Sequence, residues 1–432
     1  MTEELKQGSR LGSYELLLRV GRGGMATVWV ARERTHASKD DRLVAVKVML
    51  TELADESEFI KMFLDEVRLV RSIRHPNVVD VYDVGEHEGM MWMAMEWVEG
   101  ESLHTVIAEA GKRRAIPPEL AVRIISDAAA GLHAAHELRD MDGSLRGVVH
   151  RDISPHNILI GTNGAVKLVD FGVAKAVGRI SEATRAGQLK GKFGYMSPEQ
   201  ALGKGVDRRS DIFSLGIVLF ELTTSRRLFR GEHDLETLRL VISGAIPKPT
   251  MIDPKYPLEL ERIVLKALER NVSARYQTAA EFGHDVQAYL KAERLIVPQS
   301  GVAGILKRVV GERIEQRRKA VRGALKALSS GAVPTAQLLP NDPAFTPTGK
   351  DRITVTGVSS VTDTGLSGAS GISGFSSPGT SPSAVQPAAE RRSRTSVHSM
   401  APAARLSTAS VLGYAIGLTG LAIALFVLIF MR

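Results

Sequence analysis

Val149-His150-Arg151-Asp152-Ile153-Ser154-Pro155-His156-Asn157 is followed downstream by Asp170-Phe171-Gly172. Asp and Asn often cap helices or close turns, because their short side chains hydrogen-bond to nearby backbone. That bland reading accounts for each residue singly. It does not account for their joint spacing, or for Ser197-Pro198-Glu199 and Asp211 further along. Asn157 and Asp170 bring amide and carboxylate oxygens, the donors that a hard divalent cation favours.

Working outward, an apolar strand-like run over residues 14–30 is interrupted by Gly21, Arg22, Gly23, Gly24 and Met25 and resumes through Thr27, Val28 and Trp29. This predicts two strands joined by a glycine-rich turn. Such a turn lets backbone N–H groups approach a phosphate, although glycine-rich hairpins without a ligand are common. Val44-Ala45-Val46-Lys47-Val48 then sets one lysine inside an apolar strand, where a charge is costly without a partner. Glu66, on an amphipathic helical pattern one turn before Val70, is the carboxylate expected to meet it.

In this order the segments resemble the eukaryotic-like, Hanks-type serine/threonine protein kinases of bacteria, over residues 14–290. The resemblance implies an α+β, two-lobed protein kinase fold: a small antiparallel β lobe with one helix, and a larger, mainly helical lobe. It also implies ATP with Mg2+ as cosubstrate, Mn2+ being an admissible substitute, and protein serine or threonine hydroxyls as acceptors. Phosphoryl transfer asks for positioned phosphates, neutralised charge and an oriented nucleophile. By resemblance, Lys47, held by Glu66, binds the α- and β-phosphates, Asn157 and Asp170 hold the metal, and Asp152 orients the acceptor hydroxyl. Val20, Gly21, Gly23 and Gly24 belong to the phosphate loop. The adenine lies between Val28, Ala45 and Leu159, with backbone groups of Glu96 and Val98 at its edge and Met95 as gatekeeper. Val70, Val81, His150 and Phe171 form an apolar column through both lobes, and Glu199 pairs with Arg275.

The sequence departs from the family pattern at three places. Ala26 replaces the third glycine of the phosphate loop. Ser154 stands where serine/threonine kinases usually carry a lysine. Lys192 stands where they usually carry a threonine. The two residue types look exchanged, so the expectation is that Lys192 and Ser154 meet across the cleft and serve the reaction with swapped owners. The alternative for Lys192 is an exposed loop lysine. The resemblance implies that Arg151 awaits a phosphate on Ser181 or Thr184, the alternative being that these are ordinary solvated loop hydroxyls. The rival to catalysis is a pseudokinase that serves as a membrane-tethered scaffold.

With 44% hydrophobic and 24% charged residues, the chain can build a large core. It has no cysteine, which excludes disulfides, thiolate metal sites and a cysteine nucleophile. Residues 1–13 form a leader without a secretory pattern. Residues 291–330 carry a basic amphipathic helical pattern, with Leu306, Val310, Ile314, Val321, Leu325 and Leu328 near one face. Lys307, Arg308, Arg317, Arg318, Lys319 and Arg322 lie elsewhere. Such a helix either packs on the globular domain or lies on anionic lipid. Residues 331–408 are rich in Ser, Thr, Gly and Pro and predict a disordered linker. Residues 411–431 carry no charge and are long enough to span a hydrocarbon core of roughly 30 Å.

Arg391, Arg392, Arg394 and Arg405 precede that span and Arg432 follows it, which places the kinase region on the cytoplasmic side of the inner membrane. The partners expected are protein substrates and the lipid membrane. Gly413 and Gly417 permit close approach of a second copy as a homodimer. The formal charge of +8 is assigned to the membrane surface, and no nucleic acid is expected.

Overall fold

The computed structural model describes residues 5–22, 26–34, 42–49, 67, 70–111, 116–171 and 192–330. A six-stranded antiparallel sheet comes first in the chain, built from β1 (Arg10–Leu11), β2 (Tyr14–Arg22), β3 (Ala26–Glu33), β4 (Arg42–Met49), β5 (Val81–His87) and β6 (Met90–Glu96). Its spatial order is β1-β2-β3-β4-β6-β5. Side chains along a strand alternate between faces, and β4 shows the consequence. Val44, Val46 and Val48 join an apolar cluster with Leu16, Trp29 and Trp92, while Ala45 and Met49 join a different one with Val81 and Met95. The same period places Lys47 on the Ala45 face, toward the cleft.

The second lobe is mainly helical. It holds α1 (Leu103–Gly111), α2 (Pro118–His136), α3 (Pro198–Ala201), α4 (Arg208–Thr224), α5 (Asp234–Ser243), α6 (Pro249–Ile252), α7 (Leu258–Ala267) and α8 (Ala279–Ala292). A small sheet of β7 (Gly100–Ser102), β8 (Ile158–Gly161) and β9 (Val166–Leu168) carries the loops that form the site. α4 is buried from Ser210 to Leu222, with apolar residues on every side as a helix through the middle of a core requires and Asp211 and Glu221 as buried acids among them. Asp207 caps it by accepting from Arg209 N at 2.9 Å. At the start of α3, Ser197 and Gln200 form a reciprocal capping box with Pro198 in the first turn.

The last described element is α9 (Gln299–Ser329), kinked at Val310. Val302, Leu306, Val310 and Ile314 enter the core of the large lobe. Farther on, Val321 and Ala324 join Leu17, Leu18, Val20 and Val30 of the small lobe. This explains why β2 is buried on both faces, since Tyr14 and Leu16 already lie in the opposite cluster. Register irregularities between Leu16 and Leu18 and between Arg19 and Gly21 re-aim the side chains. The start of α9 passes so close to the β8–β9 turn that a Cβ on Gly164, at φ +83°, would lie 2.0 Å from Gln299 O.

Of the two arrangements expected for this basic helix, its apolar face takes the one packed on protein. Arg317, read from the sequence as lying off that face, is buried. An arginine enters such a position when a carboxylate is there to meet it, and Glu101 is. Among the described residues no helix is long and apolar enough to cross a membrane. Residues 411–431, with Gly413 and Gly417, lie outside the described residues.

Candidate active site

The loop 149–157 is positioned from beneath by one side chain. Asp211, in the first turn of α4 and 1% exposed, accepts from His150 N at 2.7 Å and His136 Nε2 at 2.8 Å on one oxygen. Its other oxygen accepts from Arg151 N at 2.8 Å. His150 donates from Nε2 to Val169 O at 3.1 Å and accepts from Asp152 N on Nδ1 at 3.3 Å. Burial holds this imidazole below its ordinary pKa, in keeping with a neutral ring that donates from one nitrogen and accepts on the other. Gln200 Nε2 donates to Arg151 O at 2.9 Å. Both loops bearing the expected catalytic acids contain a residue in the left-handed region, Arg151 at φ 61° and Asp170 at φ 56°. Such strain persists only where surrounding contacts over-determine it.

On this platform Asp152 is held from two sides. Asn157 Nδ2 donates to Asp152 O at 2.8 Å and to Oδ2 at 2.9 Å, and Lys192 Nζ donates to the same Oδ2 at 2.8 Å. Across the cleft Lys47 Nζ meets Asp170 Oδ1 at 2.7 Å. Burial alone would raise the Asp170 pKa, but the ammonium of Lys47, with Lys192 nearby, more than offsets it and holds the carboxyl below its usual range. The contact expected between Ser154 and Lys192 is not made: Ser154 Oγ is buried and has no hydrogen-bond partner among the described residues. An ammonium gains more from a carboxylate than from a neutral hydroxyl, and Lys192 takes Asp152. Glu66, Gly23, Gly24, Ser181 and Thr184 lie outside the described residues.

A cleft opens between the lobes, bordered by Val28, Ala45, Lys47, Met95, Leu159 and Asp170 and by the connecting segment Glu96, Trp97 and Val98. Glu96 gives its N–H to Asp80 O at 2.8 Å. Its carboxylate accepts from Lys167 Nζ at 2.6 Å. Val20 is buried in the cluster shared with Val321 and Ala324. Gly21 pairs across the hairpin with Val28.

Two further expectations concern how the lobes and their parts are held. The His150 and Phe171 rings lie 4.5 Å apart, Val81 sits in the cleft cluster, and Val70 packs against both that cluster and the large-lobe core. Glu199 and Arg275 pair at 2.8 and 3.3 Å. Ser210 Oγ also donates to Glu199 Oε1, at 2.5 Å.

Sequence reasoning did not find the Asp211–His136 pair or Arg317 at the edge of the cleft. An acid opening an otherwise apolar helix was the available signal for Asp211. No local signal distinguished Arg317 from the basic residues around it.

Asn157 spends its amide N–H groups on Asp152, so its oxygen remains as a donor to a metal. Asp170 directs one oxygen to Lys47. The pair therefore suits a hard divalent cation.

The family model for the protein kinase domain matches residues 14–286. The chain belongs to the protein kinase family. Among curated kinases it is 40% identical over 329 residues to the tyrosine-protein kinase MasK of Myxococcus xanthus, which covers 76% of this chain and 51% of that one. It is 36% identical to the serine/threonine-protein kinase PrkC of Bacillus subtilis, over 67% of this chain and 42% of that one. It is 37% identical to the serine/threonine-protein kinase PknB of Mycobacterium leprae, over 63% and 42%. The chain thus spans about half or less of the length of these relatives. A crystal structure of the Mycobacterium tuberculosis PknI kinase domain superposes with a TM-score of 0.51 at 23% identity, covering 66% of this chain and 99% of that one. That likeness concerns the two-lobed kinase fold. The family match ends before α9 begins.

Proposed function

We propose that this kinase transfers the γ-phosphoryl group of ATP to serine and threonine hydroxyls of proteins. The observation that carries the reading is the convergence on one cleft of the Lys47–Asp170 pair and of an Asp152 braced by Asn157 and Lys192. In this reading Lys47 holds the α- and β-phosphate oxygens. Asp152 orients the acceptor hydroxyl and takes its proton as the new O–P bond forms and the bond to the β-phosphate oxygen breaks, leaving ADP. Lys192 brings a positive charge beside the transferring group, the task of the lysine that Ser154 replaces. Asn157 and Asp170 are the residues that would hold Mg2+, which supplies charge neutralisation on the phosphates.

The wider reading keeps its other parts. Autophosphorylation at Ser181 or Thr184 would supply the anion for Arg151, and residues 411–431 would anchor the chain in the inner membrane. A second acceptor reading, tyrosine, is favoured by one observation: a relative matched over 329 residues is named a tyrosine-protein kinase.

Incubation of the full chain in lipid with labelled ATP and Mg2+, beside Asp152→Asn and Lys47→Met, followed by mass spectrometric mapping, tests the proposal. Label on serine or threonine in the unaltered chain alone is the expected result. Label confined to tyrosine would replace the acceptor, and nucleotide binding without transfer to itself or to generic substrates would replace catalysis by a scaffold role.

A further inference from the structure

α9 lies outside the family match, yet it grips the segment that joins the lobes at three consecutive residues. Arg318 makes a two-pronged contact with Glu99, Nε to Oε1 and Nη2 to Oε2, both at 2.8 Å. Arg317 donates from Nη1 to Gly100 O at 2.8 Å and from Nη2 to Glu101 Oε1, and Arg313 Nε reaches the same oxygen at 3.0 Å. The Glu101 side chain is wholly buried and that of Arg317 is 8% exposed. Gly100 leaves no slack on its other side: a Cβ there would lie 1.9 Å from Ile160 O.

The ends of the helix are fixed in different lobes. Before its kink, Val302 and Leu306 are part of the large-lobe core, and after it Val321 and Ala324 are part of the small-lobe cluster. Arg317 itself borders the nucleotide cleft, together with Glu101 and Ser102. Trp97 packs against both the cleft cluster and the cluster that contains α9. The two halves of α9, on either side of the kink at Val310, are therefore tied to different cleft walls, and the second half also holds the segment between them.

We propose that Arg317, through Glu101 and the Gly100 carbonyl, is a positioning residue for the nucleotide, and that α9 holds the cleft at the width that ATP requires. The inference deepens the kinase reading and rests on it for the identity of the ligand. Holding a site in its bound geometry lowers the cost of binding. Because ground state and transition state share that gain, its loss raises KM and leaves kcat nearly unchanged. A residue that merely stabilised the fold would lower the melting temperature without this split.

The test compares the full chain with Arg317→Met, Glu101→Gln, their double variant and, as a control on an exposed α9 position, Arg322→Gln. Binding of ADP with Mg2+ is measured by calorimetry and ATP kinetics by phosphate transfer. The expected result is an increase of about tenfold in Kd and KM for Arg317→Met with kcat within about twofold, and no larger increase in the double variant, because the pair acts as one unit. Arg322→Gln should match the unaltered chain. Should Arg317→Met fail to fold, Arg318→Gln loosens the same grip at a half-exposed pair, and an increase of about threefold in Kd is expected. Unchanged nucleotide affinity in the folded variants would overturn the inference, as would a fall in kcat at constant KM. Because ADP affinity is read without turnover, an unaltered chain that binds nucleotide but transfers no phosphate would fail the kinase reading and still leave this one decided.

Discussion

Lys192 Nζ lies 2.8 Å from Asp152 Oδ2, the oxygen that Asn157 Nδ2 also reaches at 2.9 Å. A lysine from the segment preceding Phe193 thus meets the loop where the family places one at position 154, and the cation belongs to a different stretch of chain. Lys192→Met should lower kcat by about 10²–10³-fold with ATP affinity changed little. The double variant Ser154→Lys with Lys192→Thr, which restores the family arrangement, should recover most of that loss. Steady-state kinetics checks both, and full turnover in Lys192→Met would end the exchange argument.

Glu199 and Arg275 are buried together, with the arginine side chain at 0% exposure. Removing one member strands the other without water. Glu199→Ala should cost about 3–5 kcal/mol of unfolding free energy in denaturant titration, with Glu199→Ala/Arg275→Met costing less than the single change. Equal losses would show that the pair itself contributes most of the stability.

Asp211 accepts three hydrogen bonds, two of them from the backbone of His150 and Arg151. Asp211→Asn presents an N–H to groups that are themselves donors and should release the strained φ of Arg151. Hydrogen exchange at the His150 and Arg151 amides should quicken by at least about tenfold, since lost hydrogen bonds of this charged kind are worth roughly 1.5–3 kcal/mol. Unaltered protection would show that Gln200 and His150 suffice to hold the loop.

His156 stacks on His104 with ring centroids 3.9 Å apart. Burial, followed by the charges of His104, Lys192 and Arg227, pushes its pKa down to about 3 against an opposing pull from Asp152. An unfolded histidine binds a proton below about 6.5, whereas the folded one stays neutral until about 3. In that window the unfolded state holds more protons, so stability falls as pH drops, by up to about 1.4 kcal/mol per unit. His156→Phe keeps a ring for the stack and removes the titration. Unfolding free energies at pH 7, 6, 5 and 4 should fall less steeply in the variant, and identical slopes would assign the acid sensitivity elsewhere.

The elements that a local rule governs were legible in the sequence. A lone lysine in the apolar run of β4 marked Lys47 as needing a carboxylate, which Asp170 supplies, and the spacing of Asp152 and Asn157 singled out two residues that hydrogen-bond to each other. Other features depend on contacts between distant segments, which no local pattern carries. Arg317 looks like its basic neighbours until Glu101, more than two hundred residues earlier, makes burial favourable. Val20 gives no sign in its own stretch of sequence that Val321 and Ala324 pack against it. The expected Ser154–Lys192 contact gave way to the Asp152 carboxylate, which Lys192 meets at 2.8 Å. Asp211 was noted as a motif, but its work of fastening His150 and Arg151 became visible only with the loop folded above it.

The contact between Gln7 and Ala324 joins residues 317 positions apart, and the same late helix covers Leu17, Leu18 and Val20. During synthesis the first strands leave the ribosome long before their cover exists. At roughly 5–20 residues per second the gap lasts on the order of 15–60 s, and through it the small lobe presents an apolar sheet face to the cell. The nascent chain is therefore a client for chaperones over that interval, and slow codons placed after residue 30 should lower its soluble yield more than slow codons placed after residue 330.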